Sequence, residues 1–560
     1  MSEPERSSMD VEKRMLLAIA LSMAILMLAP YIYQRLFPPP PQPVKPAPVQ
    51  RVQQPEAPAE APVPPPPIPT APAAGYTKAK ARSISIENEN FILRWNTAGG
   101  ILESALLKNM AKGQKALETI PKDLPETLPR PFQLRLEDED LDKTVTRAVY
   151  EVVGTDSDTI KAPADLTLRL RTPDVEVYRR IRVPATGFAI DIETYVRQGN
   201  RSLPYYLFLG PGIGPEGHST LGDFANPAVA YWQDGSVTRY TAGDVDEAPA
   251  NLQVPARWVA MDGQYFAYGI LDDKDIRSFL IKKSDIKRTD PKNKKEFLVP
   301  LLTAQVGMAR DSRFRVFVAP KDNEVLQRVD PQLASLVDYG WFSIIVKPLL
   351  VSLKLVYQYV GNYGWAIIIL TFIINLALFP VRWKQMVSMK KMSDLQPKMR
   401  SIQDRYKRMK RDDPRKQEMN VEIMKLYKEH GVNPLGGCLP LVIQMPFLFA
   451  FYRMLASSFE LRGAPFMLWI QDLSQHDPYY ITPIIMGVTM VIQQKMTPAT
   501  GDPAQRRMMM MLPLVMTFFF LNVSSGLAVY FLFSNVFGMM FQFLLQRWTP
   551  DLKPKTASAK

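Results

Sequence analysis

Residues able to do chemistry are few in this chain, and most sit in apolar surroundings. One cysteine (Cys438) and three scattered histidines (His218, His430, His476) among 560 residues leave no disulfide framework, no Cys-rich zinc site and no evident metal site or triad. No GxxxxGK[ST] string occurs, and neither Gly99-Gly100 nor Gly436-Gly437 forms a phosphate loop. No catalytic group, metal or cofactor is therefore expected. What remains is a set of uncharged hydrogen-bonding side chains within long apolar runs: Thr371, Asn375, Gln444, Gln493, Asn522, Ser525 and Asn535. Polar groups at membrane depth are costly. Such groups either bond neighbouring helices or face a polar space between them.

The elements that position them are set by runs without charge. Met15–Tyr33 is long enough for a helix crossing a ~30 Å hydrocarbon layer. No small-x-small cleavage site follows it before Gln34-Arg35, so it reads as an uncleaved anchor. Further uncharged stretches are Leu355–Val381, Gly431–Tyr452 and Pro478–Gln494. Residues 508–546 are also uncharged, and as one helix they would measure roughly 58 Å, too long for one crossing. Asn522-Val523-Ser524-Ser525-Gly526 supplies a turn there, so the expectation is six spans: 15–33, 359–381, 435–458, 479–496, 508–523 and 527–546. Helices are required because unpaired backbone cannot face lipid.

Charge sets the orientation. Residues 382–434 hold 15 Lys/Arg against 7 Asp/Glu, residues 497–507 add Arg506 and Arg507 after Lys495, and the tail 547–560 is basic. The opposite loop, 459–478, has only Arg462. The positive-inside rule then places the basic loops, the N-terminus (1–14) and the C-terminus in the cytoplasm. The net charge of +13 is in this reading mostly topological, and no nucleic-acid binding is expected.

Outside the membrane the sequence places a spacer and a domain. Sixteen of the 35 residues from 38 to 72 are proline, so 34–79 reads as a semi-rigid polyproline II linker. Residues 80–335 alternate with period two, as in Ser83-Ile84-Ser85-Ile86, Leu166–Leu170 and Phe188–Ile192, with turn signals between. That is the pattern of a large all-β antiparallel sandwich. Residues 341–358 are apolar but carry Lys347 and Lys354 on one helix face, which suits an interfacial amphipathic helix.

The basic loop reads as a helical hairpin. Leu395, Met399, Ile402, Tyr406 and Met409 form one seam, and Asp413-Pro414 starts a second arm whose seam includes Val421, Met424 and Tyr427 or Lys428. Most of these residues are explained by the hairpin packing on itself. The methionines, among them Met399, Met409 and Met424, also suit transient contact with emerging hydrophobic segments.

Three strings carry a resemblance: Tyr363–Met399 (YGWAIIILTFIINLALFPVRWKQMVSMKKMSDLQPKM), Gly431–Leu455 (GVNPLGGCLPLVIQMPFLFAFYRML) and Tyr479–Pro498 (YYITPIIMGVTMVIQQKMTP), with Ser524–Asn535 fitting as well. They are similar to the bacterial YidC membrane protein insertase family. The anchor, linker and outer domain are similar to its Gram-negative form. The resemblance implies an insertase and chaperone of the bacterial inner membrane, acting alone or beside the Sec translocon on nascent membrane proteins from the ribosome. It implies a β-supersandwich in the periplasm and a five-helix core around a hydrophilic groove open to cytoplasm and lipid.

In such a groove Thr371, Asn375, Gln444, Gln493 and Asn535 would lower the cost of stripping water from a polar tail. Helix packing remains the alternative, favoured for Asn522, Ser525 and Asn535. Apolar segments would leave past Met445, Leu448, Tyr530 and Phe531, and anionic lipids would meet the basic loops. One departure matters: the family usually has an arginine four residues after the Thr of its T-F-I motif, whereas Thr371 is followed there by Asn375. Arg382, beyond Pro380, reads as an interfacial anchor.

Two other classes make different predictions. A transporter would show repeated halves and ionisable residues in several spans, and neither is evident. A scaffold whose outer domain binds envelope proteins would leave membrane-protein insertion unchanged when depleted.

Overall fold

The structure is a computed structural model that describes residues 80–108, 116–122, 124–214, 227–245, 248–272, 276, 278–289, 296–406, 415–430, 439–497 and 503–548. The expected anchor 15–33, the linker 34–79, Met409 and the tail beyond residue 548 lie outside the described residues. The chain divides into two compact units.

In the β unit, side chains alternate as a pleated strand requires. Ser83–Glu87 buries Ile84 and Ile86 completely, with Ser83, Ser85 and Glu87 between them. Three sheets form. In the ten-stranded sheet, Ala189–Gln198 pairs antiparallel with Glu176–Val183 on one side and Ser312–Pro320 on the other. A five-stranded sheet is built on the long hairpin of Ser278–Thr289 and Glu296–Met308. In the other five-stranded sheet, Ser83–Glu87 pairs antiparallel with Phe91–Asn96 and parallel with Thr159–Lys161. The unit's main apolar core holds Trp95, Trp258, Phe266 and Phe317 fully buried, and a smaller cluster gathers Leu124, Ile286 and Leu301. Helix α1 (Glu139–Arg147) is capped by Asp138, and α2 (Asn323–Val329) by Asp322.

Buried carboxylates hold the end of this unit together. Asp262 lies 2.8 Å from Arg239 Nε and 2.7 Å from Lys321 Nζ, while Arg239 Nη2 also donates to the Leu336 carbonyl at 2.8 Å. Asp330 takes Arg257 at 2.9 Å and Arg315 at 3.6 Å. Residues Arg453–Pro465, distant in sequence, belong to the same unit. Phe459 joins its core, and the Arg462 guanidinium sits 5.2 Å over the Tyr265 ring.

The other unit is helical: α3 (Ser343–Val360), α4 (Tyr363–Ala377), α5 (Phe379–Asp394), α6 (Gln396–Tyr406), α7 (Arg415–Glu429), α8 (Leu439–Ser457, its end lying in the β unit), α9 (Ile481–Met496), α10 (Pro503–Phe520) and α11 (Ser525–Trp548). The long uncharged run is thus two helices, α10 and α11, with the turn at Leu521–Ser524. Among the described residues, α3 and α11 are each long and apolar enough to cross a membrane. The pair α4 and α5, bent by 53°, makes a third if it is one span.

The hairpin's second seam keeps Tyr427 of the expected residues but not Val421 or Met424. Leu395, Met399 and Tyr427 form its core, with Met392, Ile423 and Leu426 against it. Val421 and Met424 are 68% and 59% exposed. At about 100° per residue, Ile423, Leu426 and Tyr427 share one face of α7, and Val421 and Met424 fall off it. The Tyr427 hydroxyl donates to Met399 Sδ at 2.8 Å.

A polar seam between apolar helices as the candidate functional site

The outer faces of the helices are apolar. Ile373 and Leu376 on α4, Ile484, Ile485 and Val488 on α9, Leu514 and Phe518 on α10 and Phe543 on α11 are all more than a third exposed. In water a continuous surface of this kind would drive aggregation. In hydrocarbon it costs nothing, because lipid tails are as apolar as leucine.

Inward, the helices meet through aromatic rings and small residues. Phe372 packs against Phe537 at 5.2 Å and Phe541 at 6.0 Å, joining α4 to α11. Phe451 stacks on Tyr530 at 4.2 Å, and Phe520 meets Phe531 edge-on at 4.7 Å. A Cβ on Gly487 would stand 2.0 Å from Thr517 Oγ1, so glycine is what allows α9 and α10 to approach.

Thr371 and Asn375 are buried, at 0% and 2% exposure. Each bonds back into its own helix: Thr371 Oγ1 donates to the Ile367 carbonyl at 2.6 Å, and Asn375 Nδ2 to the Thr371 carbonyl at 2.7 Å. Among the described residues, Asn375 Oδ1 has no hydrogen-bond partner, an arrangement costing about 1–3 kcal/mol for as long as nothing donates to it.

A second group of polar side chains lies between α9 and α11. Asn535 Nδ2 donates to Thr489 Oγ1 at 3.4 Å, and Thr489 Oγ1 donates to the Met486 carbonyl at 2.7 Å. One turn along, a Cβ on Gly538 would meet Gln493 Nε2 at 2.7 Å and Arg382 Nη1 at 3.0 Å. Gln542 follows on the same face of α11, 7% exposed. The seam thus runs Thr489–Asn535, then Gln493–Gly538–Arg382, then Gln542.

Of the expected site residues, Gln493 and Asn535 meet in this seam, and Thr371 and Asn375 form a separate pair on α4. Gln444 and Met445 lie on α8, and their side chains are outside the described residues. Leu448 and Phe531 are half-buried, and Tyr530 is 3% exposed, stacked on Phe451 and edge-on to Phe531. Arg382, read from its place after Pro380 as an interfacial anchor, lies half-buried against α11. Beyond the 53° bend at Leu378, the first turn of α5 sets its guanidinium against α11.

The sequence reading missed Thr489, Gly538 and this placement of Arg382. The signal was present in spacing: Thr489 and Gln493 are four apart, and Asn535, Gly538 and Gln542 are three and four apart, so each set lines one helix face.

Just before the N-terminus of α9, Asp477 is fully buried. Its Oδ1 accepts from the Tyr479 amide at 3.0 Å and its Oδ2 from the Thr482 amide at 2.8 Å. Burial alone would push its carboxyl up. The bonds from Thr482, Tyr479 and Trp469 outweigh that and hold it below the usual carboxylate range. Among the described residues, no group of three or more His, Cys, Asp or Glu is placed to hold a metal ion.

Helices with lipid-like outer faces and a polar seam inside, in a chain that also carries a large all-β unit, define an integral membrane protein with a non-membrane domain. Comparison with known proteins carries this further. Residues 355–552 match the family described as 60Kd inner membrane protein, and residues 83–352 match the YidC periplasmic domain. The chain is 34% identical over 481 residues to the membrane protein insertase YidC of Wolinella succinogenes, covering 85% of this chain and 83% of that one. It is 48% identical over 297 residues to the protein of the same name from Citrifermentans bemidjiense, where the match spans about half of each chain, 52% and 53%. A solved structure titled as an active YidC insertase with its first transmembrane domain resolved aligns over 84% of this chain and 93% of its own, at 16% identity and a TM-score of 0.36. The chain belongs to the YidC family of membrane protein insertases, a family of insertases and not of catalytic enzymes. Its β unit corresponds to the family's periplasmic domain and its helical unit to the inner-membrane part.

Proposed function

We propose that this protein inserts hydrophobic segments of nascent membrane proteins into the inner membrane and helps them fold, without the Sec translocon or together with it. The observation that carries this reading is the polar seam of Thr489, Asn535, Gln493 and Arg382 within helices whose outer faces are apolar. A hydrophilic tail crossing hydrocarbon loses hydrogen bonds to water, at several kcal/mol for each group left unpaired. Side chains that bond it part-way, with water admitted, shorten the stretch over which that cost applies. The following apolar segment then gains about 0.8 kcal/mol per CH₂ on entering lipid. No nucleotide is needed, because partitioning drives the step.

The finer reading has six spans, both termini in the cytoplasm, and a groove open to cytoplasm and lipid. Thr371, Asn375, Gln444, Gln493 and Asn535 line the groove, and Met445, Leu448, Tyr530 and Phe531 border the exit. The basic hairpin, through Met399, Met409 and Met424, meets the ribosome and emerging segments, and anionic lipids neutralise its charge. The exposed Val421 and Met424 support that role, since the hairpin's own packing does not use them.

Depletion tests the function. With the protein removed, small membrane proteins with short outer tails should remain uninserted. Normal insertion would reject the reading in favour of a scaffold or transporter.

A further inference from the structure

The loop between α8 and α9 holds a turn that is strained, exposed and apolar. The Ile470 amide donates to the Met467 carbonyl at 3.1 Å, and the first residue inside this turn, Leu468, has a φ of +53°. That left-handed conformation crowds the Cβ of an L residue against the backbone, and glycine usually fills it. Here it carries a leucine that is 69% exposed, beside Met467 at 44%. The turn is nevertheless fastened. Gln471 Nε2 donates to the Leu468 carbonyl at 2.9 Å, and Asn362, which caps α4, donates to the Phe466 carbonyl at 2.9 Å. Phe466 lies edge-on to Trp365, and a Cβ on Gly364 would stand 2.0 Å from the Phe466 ring. Strain held in place by its surroundings points to a use for the side chain it displays.

We propose that Met467 and Leu468 form an apolar prong that enters the outer leaflet of the membrane, its ligand the acyl chains of the phospholipid there. This rests on the reading above that the loop lies outside the cytoplasm, and adds a lipid contact to it. Three features favour lipid over a protein partner. The prong is flanked by residue types that collect at a membrane–water boundary: Trp365 and Tyr479 are 44% and 66% exposed, and Trp469 meets Tyr479 edge-on at 6.5 Å. These rings tie it to the starts of α4 and α9, whose exposed Ile369, Ile373, Ile484 and Ile485 already suit hydrocarbon. Charge is kept away from it. Residues 463–494 contain no Lys or Arg, Asp472 accepts from the Ser474 amide and hydroxyl, and Asp477 is buried. An uncharged apolar tip with Trp and Tyr behind it settles at the boundary between headgroups and chains.

The test uses the full chain with Cys438→Ser in phosphatidylcholine vesicles. A polarity-sensitive fluorophore is attached at Leu468→Cys or, as an aqueous reference on the β unit, at Lys287→Cys, where the native side chain is 78% exposed. Phosphatidylcholine brominated on its acyl chains should quench the label at 468 several-fold more than the one at 287, and iodide in the water should do the reverse. Stronger quenching at 468 by iodide overturns the prong. Quenching there by neither agent assigns the turn to a protein contact and overturns it too. With the label moved to Met467→Cys, Leu468→Gly should remove most of the quenching by brominated lipid. It should leave the detergent-solubilised protein at least as stable, since glycine relieves the turn. Unchanged lipid quenching in that variant would show that Leu468 does not draw the turn into the bilayer. Modification of Gln475→Cys by an impermeant thiol reagent in inverted vesicles but not in spheroplasts would instead reject the placement of the loop.

Discussion

Asn535 Nδ2 reaches Thr489 Oγ1 at 3.4 Å, across the interface between α11 and α9. That contact is long for an N–H···O bond, and the Thr489 hydroxyl already donates to the Met486 carbonyl. A weak bond of this kind opens easily to water or a passing peptide group. Thr489→Val should therefore slow insertion of substrates with polar tails several-fold while leaving thermal unfolding of the detergent-solubilised protein almost unchanged. A fall in unfolding temperature with no change in insertion would make the contact a structural one.

Asn375 is expected to behave differently from an ordinary buried amide. Among the described residues it bonds only the carbonyl one turn back, and its Oδ1 meets no donor. Asn375→Leu should cost little stability and slow polar-tailed substrates more than wholly apolar ones, measured as the ratio of their insertion rates. Equal slowing of both would remove Asn375 from the groove.

Much of this was legible in sequence, and for a physical reason. Period-two patterning marks strands because one face must be buried, and Ile84 and Ile86 are buried as that period requires. Helices α10 and α11 were separable because an uncharged run cannot exceed the bilayer by so much. The seam was harder to read. A polar residue in an apolar run does not reveal which neighbour it faces, and the approach of Arg382 to α11 depends on a bend at Leu378 that local spacing does not encode. Gly538 bears no side chain, so its role appears only once Gln493 and Arg382 are seen to converge there.

The β unit should weaken in acid through Asp262. Burial pushes this carboxyl up, but Lys321 and Arg239 overcome that and hold it below its ordinary value. A depressed carboxylate contributes its full stability above the unfolded value of about 3.9, and loses it as pH falls through the lower folded value. Asp262→Asn should cost on the order of 3 kcal/mol at pH 7, because it removes the carboxylate that Lys321 and Arg239 share and leaves Arg239 only the more distant Asp338. It should also flatten the acid limb of unfolding, followed by tryptophan fluorescence. An unchanged acid limb would remove Asp262 from the acid response.

Phe459 gives an independent check on the fold. It lies more than a hundred residues beyond the last β-strand yet belongs to the β unit's core. Phe459→Ala should destabilise that unit by about 3–5 kcal/mol, read as faster proteolysis within residues 80–340. Unchanged proteolysis would show that the loop does not share that core.

The central claim is that a polar seam inside the helices receives the substrate chain. Photo-crosslinkers placed singly at Gln493 and at the outward-facing Leu514, with a substrate arrested during insertion, test it most directly. Strong crosslinks are expected from Gln493 to the substrate's polar tail, and few from Leu514. Crosslinks from Leu514 with none from Gln493 would contradict it.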